Sequence, residues 1–172
     1  MPAHAHRGAF AAALLALVSP GSHGAGAAPA EACALLTAAQ ASAALGVDLD
    51  QGEPVFPASV GTCVWKQHGR QATGFAQVTV TLTDTGAFDV DKAPLQGVRK
   101  TPEPGLGDDA YFVELVAASS AGGAPTLSVK KGSVSFTVLV INPLAKPERL
   151  KAVEKDAASR ILANLQNRSA IP

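Results

Sequence analysis

The chain has 172 residues, with 14 basic side chains balanced by 14 acidic ones and only 16% of positions charged. With no basic stripe, charge block or interleaving of aromatic and basic residues, it offers no electrostatic platform for nucleic acid or an anionic membrane surface. Two cysteines and four histidines leave too few soft ligands for a zinc centre, and no cofactor is expected.

Residues 1–7 contain Arg7 and no acid, residues 8–18 (GAFAAALLALV) form an unbroken apolar run, and Ser19-Pro20 leads into GSHGAGAAPA. That order predicts a secretory signal peptide over residues 1–27, cut after Ala27, with Ala25 and Ala27 as the small residues a signal peptidase reads. As a helix the apolar run rises about 16 Å against a hydrocarbon core of roughly 30 Å, so no integral membrane span is expected. Cys33 follows Ala30-Glu31-Ala32, far beyond the apolar run, which is not the setting of a lipidated cysteine. The expectation is an exported protein, periplasmic or secreted, with residues 28–172 as a single domain. Cleavage removes His4, His6, His23 and Arg7 and leaves His68 as the lone histidine. The mature length suits one domain that buries about two-thirds of its unfolded surface.

Two cysteines in an oxidising compartment predict a Cys33–Cys63 bridge. Closing a loop of about 30 residues is worth roughly 3.5 kcal/mol in the chain-entropy description, a large share of the about 5–15 kcal/mol that holds a domain together.

Residues 31–36 read as a helical turn. Thr37-Ala38-Ala39-Gln40 has capping-box spacing, and the Ala-rich helix that follows stops at Leu45-Gly46, with Gly46 placed for a left-handed cap. This helix carries Cys33 and is expected to bury Leu35, Leu36 and Leu45. The period then changes. Residues 62–66 read as a strand with Cys63 and Trp65 on one face. Residues 75–83 alternate, Ala76, Val78, Val80 and Leu82 inward and Gln77, Thr79, Thr81 and Thr83 outward. A stretch carrying Asp84, Asp89 and Asp91 lacks the ordered acid spacing of a calcium loop and reads as a solvated connection.

Further strands are expected at 110–117, 126–131 and 133–141, the last two joined by a tight hairpin at Lys131-Gly132. In the final strand Val134, Phe136, Val138 and Val140 share a face, and Leu139 and Ile141 opposite suggest that its end is covered on both sides. Asn142-Pro143 stops the sheet. From Pro147 a C-terminal helix is expected, with Leu150, Val153, Ala157, Ile161 and Leu165 inward and Lys151, Glu154, Lys155 and Arg160 facing solvent. Strand runs bracketed by helices predict an α+β fold: an antiparallel sheet of about five to six strands with an N-terminal and a C-terminal helix packed on it, and one disulfide. The phrases Gly61-Thr-Cys-Val-Trp-Lys and Gly107-Asp-Asp-Ala-Tyr-Phe suggest a weak internal duplication.

The most distinctive stretch is Pro102-Glu103-Pro104-Gly105-Leu106-Gly107-Asp108-Asp109-Ala110-Tyr111. Asp108 and Asp109, with Glu103, make a candidate acidic pocket for a cation or amine. The favoured reading is a turn in which an Asp side chain satisfies backbone amides ahead of the strand. Tyr111 and Trp65 are candidates to line a ligand cleft, although Trp65, two residues from Cys63, is expected in the core. No catalytic residue is assigned: there is no G-x-S-x-G elbow, Ser133 beside Lys130 and Lys131 is ordinary hairpin chemistry, and no Gly-rich phosphate loop follows a strand.

Cys33-Ala-Leu-Leu-Thr37, Cys63-Val-Trp65, Gly105-Leu-Gly-Asp-Asp-Ala-Tyr111 and Lys131-Gly132 before the last strand resemble motifs of small bacterial cell-envelope proteins and lipoproteins, an uncharacterised domain family best populated in actinobacteria. The resemblance spans about residues 31–166. It implies the Cys33–Cys63 bridge, an α+β fold and an exported location, and it carries over no catalytic residue. Unlike the lipoprotein members, this chain lacks a lipidation cysteine after the signal.

The residues point first to a non-enzymatic envelope or secreted protein that binds a small ligand or a protein partner. Alternatives are an inhibitor-like protein of a secreted enzyme, acting through a sheet face or the 98–110 loop, and a carboxylate-dependent hydrolase. An enclosed apolar pocket with convergent polar groups favours ligand binding, a flat exposed aromatic patch favours inhibition, and a buried carboxylate pair in a cleft favours catalysis.

Overall fold

A computed structural model describes residues 31–55, 61–69, 75–116 and 123–169; the expected signal peptide and its expected cleavage site lie outside them. The first element is a 3-10 turn, Ala32–Ala34, so Cys33 sits in this turn and not in the helix that follows. Helix α1, Ala38–Leu45, starts where the capping box forms. The Thr37 hydroxyl accepts from the Gln40 amide at 3.1 Å and the Gln40 side chain accepts from the Thr37 amide at 3.0 Å. Gly46, at φ 80°, closes the helix in the left-handed conformation.

Seven strands follow, not five or six: β1 Glu53–Pro54, β2 Thr62–Lys66, β3 Gln77–Thr83, β4 Val98–Pro102, β5 Asp109–Leu115, β6 Thr126–Lys131 and β7 Val134–Ile141. They form one antiparallel sheet in the order β1-β2-β3-β7-β6-β5-β4. The two additional strands are its edges. β1 is two residues long and β4 reads VRKTP; short, charged and Pro-bearing segments blunt a sheet edge and show no inward–outward alternation. A second helix, α2 Thr85–Asp91, occupies the predicted solvated connection, with Asp84 as N-cap to the Gly86 and Ala87 amides. Only Phe88 of this helix is buried, too little apolar signal to mark a helix by periodicity.

One face of the sheet holds the core. Cys63 and Trp65 of β2, Val78 and Val80 of β3, Phe136, Val138 and Val140 of β7, Leu127 and Val129 of β6, and Ala110 and Phe112 of β5 are buried there. Helix α3, Pro147–Ser169, lies across β6 and β7, with α1 beside it. The Cys33–Cys63 bridge is present, with a Cα–Cα distance of 5.0 Å, and ties the 3-10 turn to β2. The stripe Leu150, Val153, Ala157 and Ile161 packs inward as expected.

Glu154 does not face solvent. It has no exposed surface, because it shares the inward face of α3 with Val153, Ala157 and Ala158. Lys151 also leans inward, its ammonium 5.2 Å from the Phe112 ring centre. On the opposite face of the sheet α2 seats Phe88 against Tyr111, ring centres 5.1 Å apart, and the Tyr111 hydroxyl donates to the Phe88 carbonyl at 3.4 Å. Leu139 and Ile141, expected to be covered, are only half-buried there, so the end of β7 is packed on one side. Trp65 and Tyr111 point to opposite faces, and a one-residue offset of that kind inverts every side chain. The two similar phrases are therefore not equivalent units of the sheet.

Candidate functional site

The four candidate residues do not converge. Trp65 is core, in contact with the turn that carries Gly52. Tyr111 is buried beneath α2. Asp108 clasps the β6–β7 hairpin: one oxygen accepts from the Gly132 amide at 2.7 Å and the other pairs with Lys131 at 2.6 Å. The Gly132 hydrogen bond, then Lys131, holds its carboxyl below the ordinary range. Asp109 pairs with Lys92 at 2.5 Å and Glu103 with Lys155 at 2.8 Å; the three acids line one hollow of about 320 Å³, but each is paired with a different cation. The stretch around Gly107 is a structural clasp, as its Asp and Gly content suggested.

The residues that do converge lie outside that set, and two of them, Lys151 and Glu154, were expected to face solvent from the last helix. Glu114 of β5 lies between Arg99 of β4, at 3.1 Å, and Lys151 of α3, at 2.9 Å. Burial pushes its carboxyl up, but the two cations together hold it below the usual carboxylate value. Behind this group stands Glu154. The last β6–β7 pair is Thr126 with Leu139, so on that side the Val140 amide has no strand partner, and Glu154 Oε1 accepts from it at 3.1 Å. Oε2 has no hydrogen-bond partner among the described residues. Burial raises this carboxyl to about 8, outweighing Val140 and Lys151, so it carries a proton at neutral pH.

A cleft of about 600 Å³ opens beside these groups at the end of the sheet, lined by Arg99, Glu114, Leu115, Pro125, Asn142 and Leu150 among others. Two carboxyls with oppositely shifted acidity beside a cleft suggest acid–base work. The geometry argues against it: both Glu114 oxygens are held by cations, and Glu154 does not line the cleft. A two-carboxylate hydrolase needs both groups open to the scissile bond.

The broadest feature is the face of the sheet opposite α1 and α3. Two adjacent rows cross it in register: Val64, Thr79, Leu139, Thr126 and Val113, then Thr62, Thr81, Thr137, Ser128 and Tyr111. None of these ten residues is charged, over five strands whose outer axes lie roughly 19 Å apart at about 4.8 Å per step, and Val64, Ser128 and Tyr111 are themselves buried, the last beneath α2. Gln77 and Ile141 continue the uncharged surface on one side, and Thr83 and Ser135, hydroxyls 2.9 Å apart, on the other. The charges stand at its margins: Glu53 and Lys66 at 3.8 Å from each other by β1 and β2, Lys100 on β4, and Lys130 with Asp109 beside α2. Phe75 and Val55, 49% and 45% exposed, border two shallow grooves of about 260 and 350 Å³ that share Lys66 and Gln77. The alternation of Thr79, Thr81 and Thr83 was the one sequence signal for this face.

His68, the only histidine of residues 28–172, sits 2.6 Å from Asp50 on the surface. The hydrogen bond and charge of Asp50 raise it above its ordinary value. Among the described residues there is no cluster of histidine, cysteine and acid able to hold a metal ion, and no helix long and apolar enough to cross a membrane. No protein-family model, curated protein or solved structure matches the chain.

Proposed function

We propose that the protein is an exported, non-enzymatic binding module whose open sheet face receives a protein partner. The observation that carries this reading is the contiguous uncharged surface of Thr, Val and Leu on β2, β3, β7, β6 and β5, with Phe75 at its margin. Interface centres are depleted of charge and anchored by aromatic side chains, and this face carries no charge across its two central rows. Export is supported by the order of residues 1–27 and by a disulfide suited to an oxidising compartment. If the partner is a secreted enzyme, the module is an inhibitor that works through this face. The 98–110 segment suits that role less well, because Arg99, Glu103, Asp108 and Asp109 are all committed to internal ion pairs. The end-of-sheet cleft, with Arg99 and Asn142 near Leu115 and Leu150, favours a small polar ligand as a second reading.

The test is capture from the producer's own envelope and culture fractions on immobilised mature protein, run in parallel with Thr81→Arg and Leu139→Glu. The expected outcome is one stoichiometric protein retained by the parent chain and lost from both variants, whose melting temperatures stay unchanged. Equal retention by the charged variants, or no stoichiometric protein on the parent chain, overturns the reading.

A further inference from the structure

We infer that Glu154 is a proton-operated latch between α3 and the end of the sheet: uncharged, it locks the helix onto β7, and ionised, it drives the N-terminal half of α3 off the strand and opens the adjoining cleft. The geometry sets up both states. Glu154 has no contact with solvent, and its one hydrogen bond is to a β7 amide that β6 does not reach. Its second oxygen has no partner among the described residues, so an ionised carboxylate there has half of its charge unsolvated, a state a low-dielectric interior does not tolerate. Relief requires water. The route in is the cleft whose wall includes Leu150, one turn before Glu154 on the same helix.

The two halves of α3 are held by different means, which makes a local step possible. The C-terminal half is fastened to the first turn and to α1. Asn164 Nδ2 donates to the Leu35 carbonyl at 2.9 Å and to Gln40 Oε1 at 3.0 Å, and Arg168 donates to the Ala34 carbonyl. The N-terminal half has Leu150 and Val153 packed on the core, ion pairs from Lys151 to Glu114 and from Lys155 to Glu103, and Glu154 itself. The charged side chains that bear on Glu154 are Lys151 of its own helix and Glu114 of β5, the latter shared between Lys151 and Arg99 of β4. Lys151 favours ionisation and Glu114 opposes it, so neither fixes the charge state alone. Burial dominates and raises the carboxyl to about 8. The latch is closed at neutral pH and releases over the pH unit on either side of that value, giving up its proton to solvent.

The experiment is hydrogen exchange of the disulfide-bonded mature chain from pH 6 to 9.5, corrected for the intrinsic exchange rate, with a carbon-13 titration of the Glu154 carboxyl. The carboxyl is expected to titrate near 8. Amides of residues 148–156 and of Val140 are expected to lose about tenfold protection per pH unit as the pH rises toward that point and to level off above it, while those of residues 160–168 and of β2 hold theirs. Glu154→Gln abolishes the pH dependence and keeps α3 protected. Should the Gln variant fail to fold, Glu154→Met, which fills the same space without a charge, serves instead. Loss of protection spread evenly over the whole sheet, a carboxyl titrating in the ordinary range, or an unchanged profile in the uncharged variant each overturns the latch.

Discussion

Gly52 lies against Trp65 with no room for a side chain: a methyl group at residue 52 would sit 2.5 Å from the indole and 2.8 Å from the Cys63 sulfur. The close approach packs the segment leading into β1 onto the half of the core that contains the disulfide. Gly52→Ala overpacks this contact and is expected to cost about 1–3 kcal/mol, read as a lower urea midpoint with an unchanged slope. Gly61→Ala, where an added methyl meets nothing within 4 Å, stays within about 0.5 kcal/mol of the parent.

The bridge closes a separation of 30 residues, and Cys63 has no exposed surface. Replacing both cysteines by serine is expected to lower stability by about 3.5 kcal/mol through chain entropy, with a further loss from a hydroxyl buried at position 63. Thermal unfolding of the double variant checks the sum. Replacement of both by alanine removes the hydroxyl contribution and separates the two.

Gly105 and Gly107 both have positive φ, 89° and 62°, but only Gly107 is hemmed in, its added Cβ falling 2.4 Å from the Lys130 carbonyl oxygen. Gly105→Ala carries the left-handed penalty alone, about 1–2 kcal/mol. Gly107→Ala must also push β6 away from the Asp108 clasp and is expected to cost about 2 kcal/mol more. Equal effects in chemical denaturation show that the clasp yields freely.

Acidity makes opposing contributions to stability. Glu154 has a raised folded value, so below its ordinary value near 4.5 it is protonated in both states and costs nothing. As the pH climbs from there to about 8, the unfolded chain ionises first and stability falls. Asp108 and Glu114, whose folded values are lowered, act oppositely: their stability is present above their ordinary values and lost on acidification. A maximum between about pH 4.5 and 6 is therefore expected in urea titrations. Glu154→Gln should be more stable than the parent by about 2–3 kcal/mol at pH 7 and nearly equal to it at pH 4.

Much of this architecture is legible in the residues, for identifiable reasons. Helix α1 shows its capping box and its terminal glycine, and β2, β3, β6 and β7 show period-two alternation against a one-sided core. The edges are illegible because Arg99, Lys100 and Pro102 in β4 are chosen to resist pairing with another chain, and that choice erases the strand pattern. Helix α2 is hidden because it is seven residues long and buries only Phe88. Glu154 is misplaced by any rule that sends charge to the surface, since its burial depends on where β6 begins opposite β7. The uncharged face is half visible: Thr79, Thr81 and Thr83 announce an outward row, but its continuation through Thr62, Thr137 and Leu139 exists only once β3 pairs with β7.

That pairing has a temporal side. The last strand of the chain lies at the middle of the sheet, and its contact with β3 joins Thr83 to Ser135, 52 positions apart. Until residues 134–141 are present, β1-β2-β3 and β4-β5-β6 are separate ribbons, each with an unpaired inner strand and half a core. A chain that emerges N-terminus first therefore stays open until nearly all of it has been made, and closes late through contacts that are distant in sequence and slow to form. Such delay suits the proposed export, in which the chain passes a membrane before it folds. It also means that loss of the last forty residues leaves no half capable of standing alone.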